Sequence, residues 1–339
     1  MRFLPILLFA CLSFIGIFGS SGEAKAWGKF GHLTVCDLAY RNLTPASRIA
    51  LNDLLQSRTG GINVPGQGRL PDRHYTSFNV GCLEEDALPR RHPEDHFLNL
   101  DRGLSAISGA SCPAATPDCI LSGLQRDLDT LRDPQRSRAD RVFALMAIGH
   151  WVGDIHQPLH VSFADDRGGN GIDIRLTGRC GGESPRPDNL HGVWDNCLLE
   201  AGLFEKVRRR ADFRSSWSRN TITYRAVDTL LANTSLADER ALVSGDPWQW
   251  AADSYLITRA PETRYCTVQD GVCRYSPDAA VLTRNGTKRE QLVDATYLAR
   301  FAPVAEEQVR RAGFRLAHLL NLALDPAYRE PMRDGTQPG

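Results

Sequence analysis

The sequence predicts an all-α fold, mainly helical, with long loops and at most a small β-hairpin. Three observations predict it. Apolar residues recur at three- and four-residue spacing over most of the length, strand signals are few, and proline- and glycine-rich stretches separate the periodic segments. No internal repeat or dividing linker interrupts the pattern, so one domain is expected.

Residues 1–26 form a leader: Arg2, an apolar run from Phe3 to Phe18, then Ala24-Lys25-Ala26 as a small-x-small cleavage site. This predicts a removed signal peptide, a mature start at Trp27 and a secreted or periplasmic destination. The apolar run is short for a span of roughly 20 residues, and no later segment is longer. Stable membrane insertion is therefore not expected.

From His32 to about Gln56, Leu33, Cys36, Leu38, Ala39, Leu43, Ile49, Leu51, Leu54 and Leu55 recur at helical spacing, with Thr44-Pro45 marking a break and restart. Asp140 to Gln157 predicts a stronger helix with Val142, Leu145, Met146, Gly149 and Val152 on one side, ended or kinked by Pro158. Further helices fit Leu190–Lys206, Thr221–Leu231, Pro247–Ile257 and Val304–Leu324. The best strand is Gly171–Leu176, where a small hairpin fits. Irregular segments are expected over 59–68, 103–117, 165–170, 178–187 and 259–277. Residues 27–325 form the expected domain, and the tail 326–339, with Pro326, Pro331 and Pro338, is expected to be loose.

The 339 residues carry 40 basic and 40 acidic side chains, and removing Arg2, Glu23 and Lys25 with the leader leaves 38 against 39. Such a chain does not find nucleic acid by bulk charge. With 42% hydrophobic and 24% charged residues it is globular, which excludes disorder, collagen and a fibrous repeat. Of nine cysteines, eight remain after Cys11 leaves, an even count that suggests disulfides in an exported chain. Sequence neighbours suggest Cys112 with Cys119, Cys180 with Cys197, Cys266 with Cys273, and Cys36 with Cys82, one of about 105 connectivities. None of the eight forms a CxxC pair, which argues against a zinc ribbon. Asn42, Asn233 and Asn285 are glycan acceptors only in a eukaryotic secretory route.

The chemistry concentrates in His150-Trp-Val-Gly-Asp154-Ile-His156-Gln-Pro-Leu-His160. Residues four apart share a helical face, so His150 and Asp154 can address one centre, and the turn at Pro158 can return His160 to it. His191 and Asp195 repeat the spacing. Two imidazole–carboxylate pairs held by helices suggest ligation of a divalent ion, although either pair alone also reads as a surface ion pair. A free amine at Trp27, five residues before His32, has a reference pKa of about 8 and can also bind zinc.

These residues resemble, in order, the exported single-strand-specific zinc nucleases of moulds and plants, a family that shares its fold with bacterial zinc phospholipase C. The matching elements are Trp27 and His32, Asp72 in Leu-Pro-Asp-Arg, His96-Phe97, the His150–Asp154–His160 block, Gly168-Gly169-Asn170, and His191 with Asp195. The resemblance extends more loosely through Trp250-Ala-Ala-Asp-Ser254 to the last helix. It implies a phospholipase C/zinc-nuclease-like fold and three zinc ions. Asp72, His96 and His150 would hold the first. Asp154 would bridge it to a second held by Trp27 and His32, and His160, His191 and Asp195 would hold the third.

The implied reaction is hydrolysis of single-stranded DNA and RNA to 5′-phosphate products, together with 3′-nucleotidase action on 3′-nucleotides. Zinc would activate water and neutralise phosphate charge. Phe97 would stack a base, Asn170 would position phosphate, and Asp72 and Asp154 would organise the catalytic metals. Two positions depart from the family. Tyr75 stands three residues after Asp72, where an arginine is usual, which leaves Arg73 as the substitute. Asn99 replaces an aspartate that reads the base edge, and an amide can donate as well as accept.

His74 is a weak substrate-site candidate; His156 and His318 read as structural, and His92 has no matched role. Arg208-Arg209-Arg210 reads as a solvated face, with a strand-tracking patch as the alternative. No obligate protein partner is evident. The competing functions are a zinc phospholipase C and a non-catalytic zinc-binding protein; chain length and the Gly-Gly-Asn loop argue against the first, and Phe97, Asp154 and Asn170 against the second.

Overall fold

A helix with almost no polar face has to run through the interior, and the sequence from Val142 to Ile155 is such a helix. In the computed structural model, α5 (Arg138–Ile155) starts at Ser137, whose hydroxyl accepts from the Asp140 amide, and every residue from Val142 to Ile155 is buried. The expected one-sided stripe is thus buried all round, with His150 and Asp154 inside. The structure describes residues 27–329 apart from 57–61, 65–67, 71–77, 108–111, 114–117, 183, 233 and 276–288. The leader, Asp72, Arg73, His74, Tyr75, Asn233, Asn285 and the end of the tail lie outside the described residues.

Around α5 pack α1 (Lys29–Arg41), α2 (Pro45–Gln56), α4 (Ile120–Arg132), α10 (Pro247–Arg259) and the long α11 (Ala295–Leu324), while α3 (Phe78–Gly81) lies against α1. The approach of α1 depends on two glycines one turn apart. A Cβ on Gly149 would lie 2.4 Å from Cys82 Sγ and 2.8 Å from Cys36 Sγ, and one on Gly153 would lie 2.8 Å from His32 Nδ1. The Cys36–Cys82 disulfide and the His32 ring therefore occupy the groove that these residues leave open.

Helix α4 was not anticipated, although Ile120, Leu121, Leu124, Leu128 and Leu131 carry the spacing and are buried. Helix α11 begins at Ala295 rather than Val304: Asp294 accepts from the Tyr297 amide, and Pro303, near the start, removes only one of many helical bonds. The expected helix at 190–206 is a composite of α6 (Leu190–Gly192), π-helical turns at Val193–Cys197 and Glu200–Phe204, and α7 (Glu205–Arg208). Helices α8 (Arg219–Leu231) and α9 (Leu236–Leu242) each start on a serine cap. The mainly helical class holds.

Short strands pair up around the helices, and the one at Ile172–Leu176 lies where a strand was expected. β1 (Ile62–Val64) pairs antiparallel with β2 (Gly68–Leu70), β3 (Leu98–Leu100) pairs parallel with β4 (Val161–Phe163), and β5 (Ile172–Leu176) pairs parallel with β8 (Arg289–Val293). The strand at 172–176 therefore forms no hairpin of its own, because its partner arrives from a distant segment. A hairpin instead joins β6 (Thr267–Gln269) to β7 (Val272–Arg274), with Asp270 and Gly271 both at positive φ.

All four disulfides join the expected cysteines, which indicates an oxidising compartment. Two contacts are made around residue 325, where the expected domain ends. The Thr44 hydroxyl donates to Asp325 at 2.7 Å, and the Tyr328 hydroxyl lies 3.0 Å from His318 Nδ1. Among the described residues no helix is long and apolar enough to cross a membrane.

Gly149→Ala tests the groove. Helix propensity alone would stabilise by about 1 kcal/mol; the contact with both sulfurs predicts a net loss of about 1–3 kcal/mol instead, read as a lower denaturation midpoint. A raised midpoint would show that α1 and the disulfide do not pack against this position.

Candidate metal centre

Asp154 is the hub of the buried polar cluster. Its carboxylate oxygens lie 3.3 Å from His32 Nε2, 3.3 Å from His96 Nδ1 and 3.3 Å from His150 Nε2, with His160 Nδ1 at 3.8 Å. These four histidines come from four places in the chain: the start of α1, the turn Pro93–His96, the middle of α5 and the turn Pro158–His160. The β3–β4 pair holds the second and fourth beside each other, since it aligns Leu98 with Val161. The His32 and His150 rings stack with centroids 4.0 Å apart.

A second focus follows directly. His160 Nε2 lies 3.0 Å from His191 Nε2, and both face Asp195 at 3.6 Å. The π-helical turn Val193–Cys197 carries Asp195, and the Asn189 cap, which accepts from the Gly192 amide at 2.8 Å, fixes the start of the helix beneath His191.

Backbone carbonyls set the direction of three rings. Nδ1 of His150 faces the Cys82 carbonyl at 2.7 Å, that of His191 faces the Gly168 carbonyl at 2.7 Å, and that of His160 faces the carbonyl of His96. A proton on each Nδ1 leaves each Nε2 as a bare lone pair. The Cys36–Cys82 disulfide thus anchors the carbonyl that aims His150. Gly168, at φ +63°, aims His191; a Cβ there would lie 2.2 Å from the Leu159 carbonyl oxygen. Behind this turn Asp166 accepts from the Gly169 amide, the Tyr265 hydroxyl and the Arg102 guanidinium. Gln157 donates to Asp195 at 2.6 Å.

With these tautomers, the His160 and His191 lone pairs point at each other across 3.0 Å, an arrangement that a shared cation would relieve. Elsewhere in the cluster, both Asp154 oxygens, both His32 ring nitrogens and His96 Nε2 are buried without a hydrogen-bond partner. Burial pushes the Asp154 and Asp195 carboxyls up to about 7, against the pull of neighbouring histidines, and lowers His32 to about 4. It also lowers His96, His150, His160 and His191. Surface ion pairs are excluded as an explanation, because none of these ligand candidates exceeds 3% exposure. The donor set fits divalent metal. Three groups of side chains place candidate ligand atoms within 4.8 Å of one another: His32, Asp86 and His150; His96, His150 and Asp154; and His160, His191 and Asp195.

Asp86 was missed by the sequence reading, which placed the loop carboxylate at Asp72, outside the described residues. Asp86 sits in the turn Glu84–Asp86, with Oδ1 4.0 Å from His150 Nε2 and 2.8 Å from Arg90 Nη2. Neighbouring Glu85 is buried and pairs with Arg91 and His92, which anchors the turn. An acid ten residues before His96 with an arginine four residues later was the available signal. Trp27 is buried, and the following amide, of Gly28, donates to the Asp195 carbonyl at 2.8 Å, so the start of α1 touches the second focus. Phe97, Asn99 and Asn170 are half-buried beside their ligand segments, and the Asn170 side-chain Nδ2 donates to the Arg167 carbonyl at 2.8 Å. His156 faces Arg315 and the Val152 carbonyl, away from the centre, and His318 lies by Tyr328.

A sequence model described as S1/P1 nuclease matches residues 27–325. Endonuclease 4 of Arabidopsis thaliana is 28% identical over 312 residues, covering 88% of this chain and 89% of the relative. Nuclease S1 of Aspergillus oryzae is 27% identical over 302 residues (87% and 91%), and nuclease P1 of Penicillium citrinum is 22% identical over 308 residues (87% and 97%).

Metal removal should expose the strain of this cluster. In the stripped chain, Asp154 and Asp195 have folded values above their ordinary 3.8, so their contribution is present below 3.8 and lost as pH rises through about 7. The histidines have folded values below 6.5, so theirs is present above 6.5 and lost as pH falls. No pH satisfies both sets. Chelation should therefore lower Tm throughout pH 5–8, and the Tm gain on adding zinc back should grow with pH as protons cease to compete for the ligands. Identical melting with and without zinc would contradict this.

Proposed function

The chain belongs to the S1/P1 nuclease family, and from that premise we propose that it is a zinc-dependent phosphodiesterase. It cuts single-stranded DNA and RNA to 5′-phosphate products and removes the phosphate of 3′-nucleotides. The observation that carries this reading is the Asp154 hub: a fully buried carboxylate without hydrogen-bond partners, surrounded by ring nitrogens at 3.3 Å.

Bound zinc supplies Lewis acidity, activating water near neutral pH and neutralising charge on the phosphodiester. The chain's residues do the rest. Asp154, His96, His150 and a loop carboxylate would hold one ion, Asp154, His32 and the Trp27 amine and carbonyl would hold another, and His160, His191 and Asp195 would hold a third. We assign the loop carboxylate to Asp86 in place of Asp72, and the arginine that offsets charge in the transition state to Arg90 in place of Arg73 or Tyr75. Phe97 offers a face for an unstacked base, Asn99 hydrogen-bonds its edge, and Asn170 orients phosphate. A base must leave its stack to place the backbone at a recessed centre, which selects single strands.

This reading includes loss of residues 1–26 on export, since the amine at Trp27 exists only then, and a single catalytic domain over 27–325. Lipid is the alternative substrate of such a cluster. Parallel assays with single-stranded DNA, RNA, a 3′-nucleotide and phosphatidylcholine should give turnover of the first three; turnover of the lipid alone would overturn the proposal. Within the site, Asp86→Asn should lower nuclease activity by more than about 100-fold together with zinc content, a loss at or beyond that typical of removing an outer support. Asp72→Asn should change it by less than about threefold, well under the same scale. The reverse order would return the ligand role to Asp72.

A further inference from the structure

The segment between Glu205 and Arg225 has a composition unlike the rest of this neutral chain: basic residues far outnumber acidic ones and are interleaved with Phe213, Trp217 and Tyr224. The structure gathers them on one surface with the end of α1. Arg41 lies over the Tyr224 ring at 3.7 Å, Arg225 lies over Trp217 at 5.6 Å, and Phe213 meets Trp217 edge-on at 5.4 Å. Tyr224 is 51% exposed, an unusual position for so large a ring. Much of this charge is paired: Arg41 with Asp37 and Asp228, Arg225 with Asp212 and Asp228, Arg210 with Asp212, Arg208 with Glu205, and Lys206 with Glu306. Arg209 and Arg214 stay exposed, and among the described residues neither pairs with a carboxylate.

Both helices that lead here start at the metal centre. Helix α1 runs from His32 to Arg41, about 14 Å at 1.5 Å per residue, and the composite helix from Asp195 ends beside Arg209, roughly 20 Å away. Accessible arginines for phosphates and aromatic rings for bases are the components of a single-strand binding surface.

We propose that Arg209, Arg214, Trp217 and Tyr224 form a second binding surface for single-stranded nucleic acid, gripping the strand several nucleotides from the bond being cut. The proposal rests on the nuclease reading above. It gives a chain without net positive charge a local hold on a polyanion, through the exposed Arg209 and Arg214. The surface adds affinity for long substrates and leaves the chemistry at the zinc site untouched.

The test compares the wild-type holoenzyme with the triple variant Arg209→Ser/Arg214→Ser/Tyr224→Ala on a dinucleotide and on a single strand of ~30 nucleotides, long enough to exceed a typical site of roughly 4–16. For the long strand, KM should rise about tenfold with kcat nearly unchanged, the pattern expected when uniform binding is removed. The salt dependence of log kcat/KM should flatten by about 0.7 for each phosphate no longer neutralised by an arginine. Dinucleotide kinetics should stay at wild-type values, which also shows that the variant is folded, and Arg209→Lys/Arg214→Lys should keep the long-strand KM. Unchanged long-strand kinetics, or an equal loss on both substrates, would overturn the proposal. So would loss of binding to anionic phosphatidylglycerol vesicles with strand cleavage intact, which would make the surface a membrane-binding one. If the wild-type enzyme cuts neither nucleic acid, the nuclease reading falls, and the second binding surface falls with it.

Discussion

The arrangement depends on one electrostatic constraint: the Asp154 carboxylate is sealed in the interior, without hydrogen bonds, among histidines that burial keeps neutral. An isolated charge in that position would be penalised by several kcal/mol even after relaxation. Metal ligation reverses the balance, because it uses the deprotonated carboxylate and the neutral imidazole, the two states that must otherwise be reconciled. Much of the surrounding architecture follows from the need to hold such a group dry. Helix α5 is buried on all sides, glycines on it admit the disulfide and His32, and carbonyls from three separate segments fix the rings.

The supports are as specific as the ligands. A disulfide placed against Gly149 positions the Cys82 carbonyl, a left-handed glycine positions the Gly168 carbonyl, and the Arg102–Asp166–Tyr265 cluster holds that glycine turn from behind. Each ring is thereby set before metal arrives, which lowers the cost of ordering the site. The π-helical turns after His191 belong to the same logic, since interrupted helices are frequent where side chains must be re-aimed.

Much of this was legible in the sequence because the strongest signals are local. His150 and Asp154, and His191 and Asp195, sit four apart on helical segments, and Pro158 does turn the chain so that His160 comes back toward them. The disulfides followed from near neighbours. What stayed hidden is non-local. The parallel partner of 172–176 comes from 289–293, a pairing that no local pattern encodes. Asp86 carries no local mark of its own, because its proximity to His150 is a property of how α3 and the following turns pack. Gln157 and Asp166 act through other residues, so residue type alone did not mark them. Helix α4 carries a readable apolar period in a stretch for which no element was expected.

What distinguishes a metal centre from a proton network around Asp154 is density for divalent ions in the space between the ligands. Anomalous diffraction at the zinc absorption edge from crystals of the exported protein measures this most directly. Peaks are expected within about 2.0–2.2 Å of Asp154 oxygens and of the facing imidazole nitrogens, with the His160 and His191 rings separated by one such peak. A well-ordered, enzymatically active crystal without anomalous signal there, and with those two rings still touching, would contradict a metal centre.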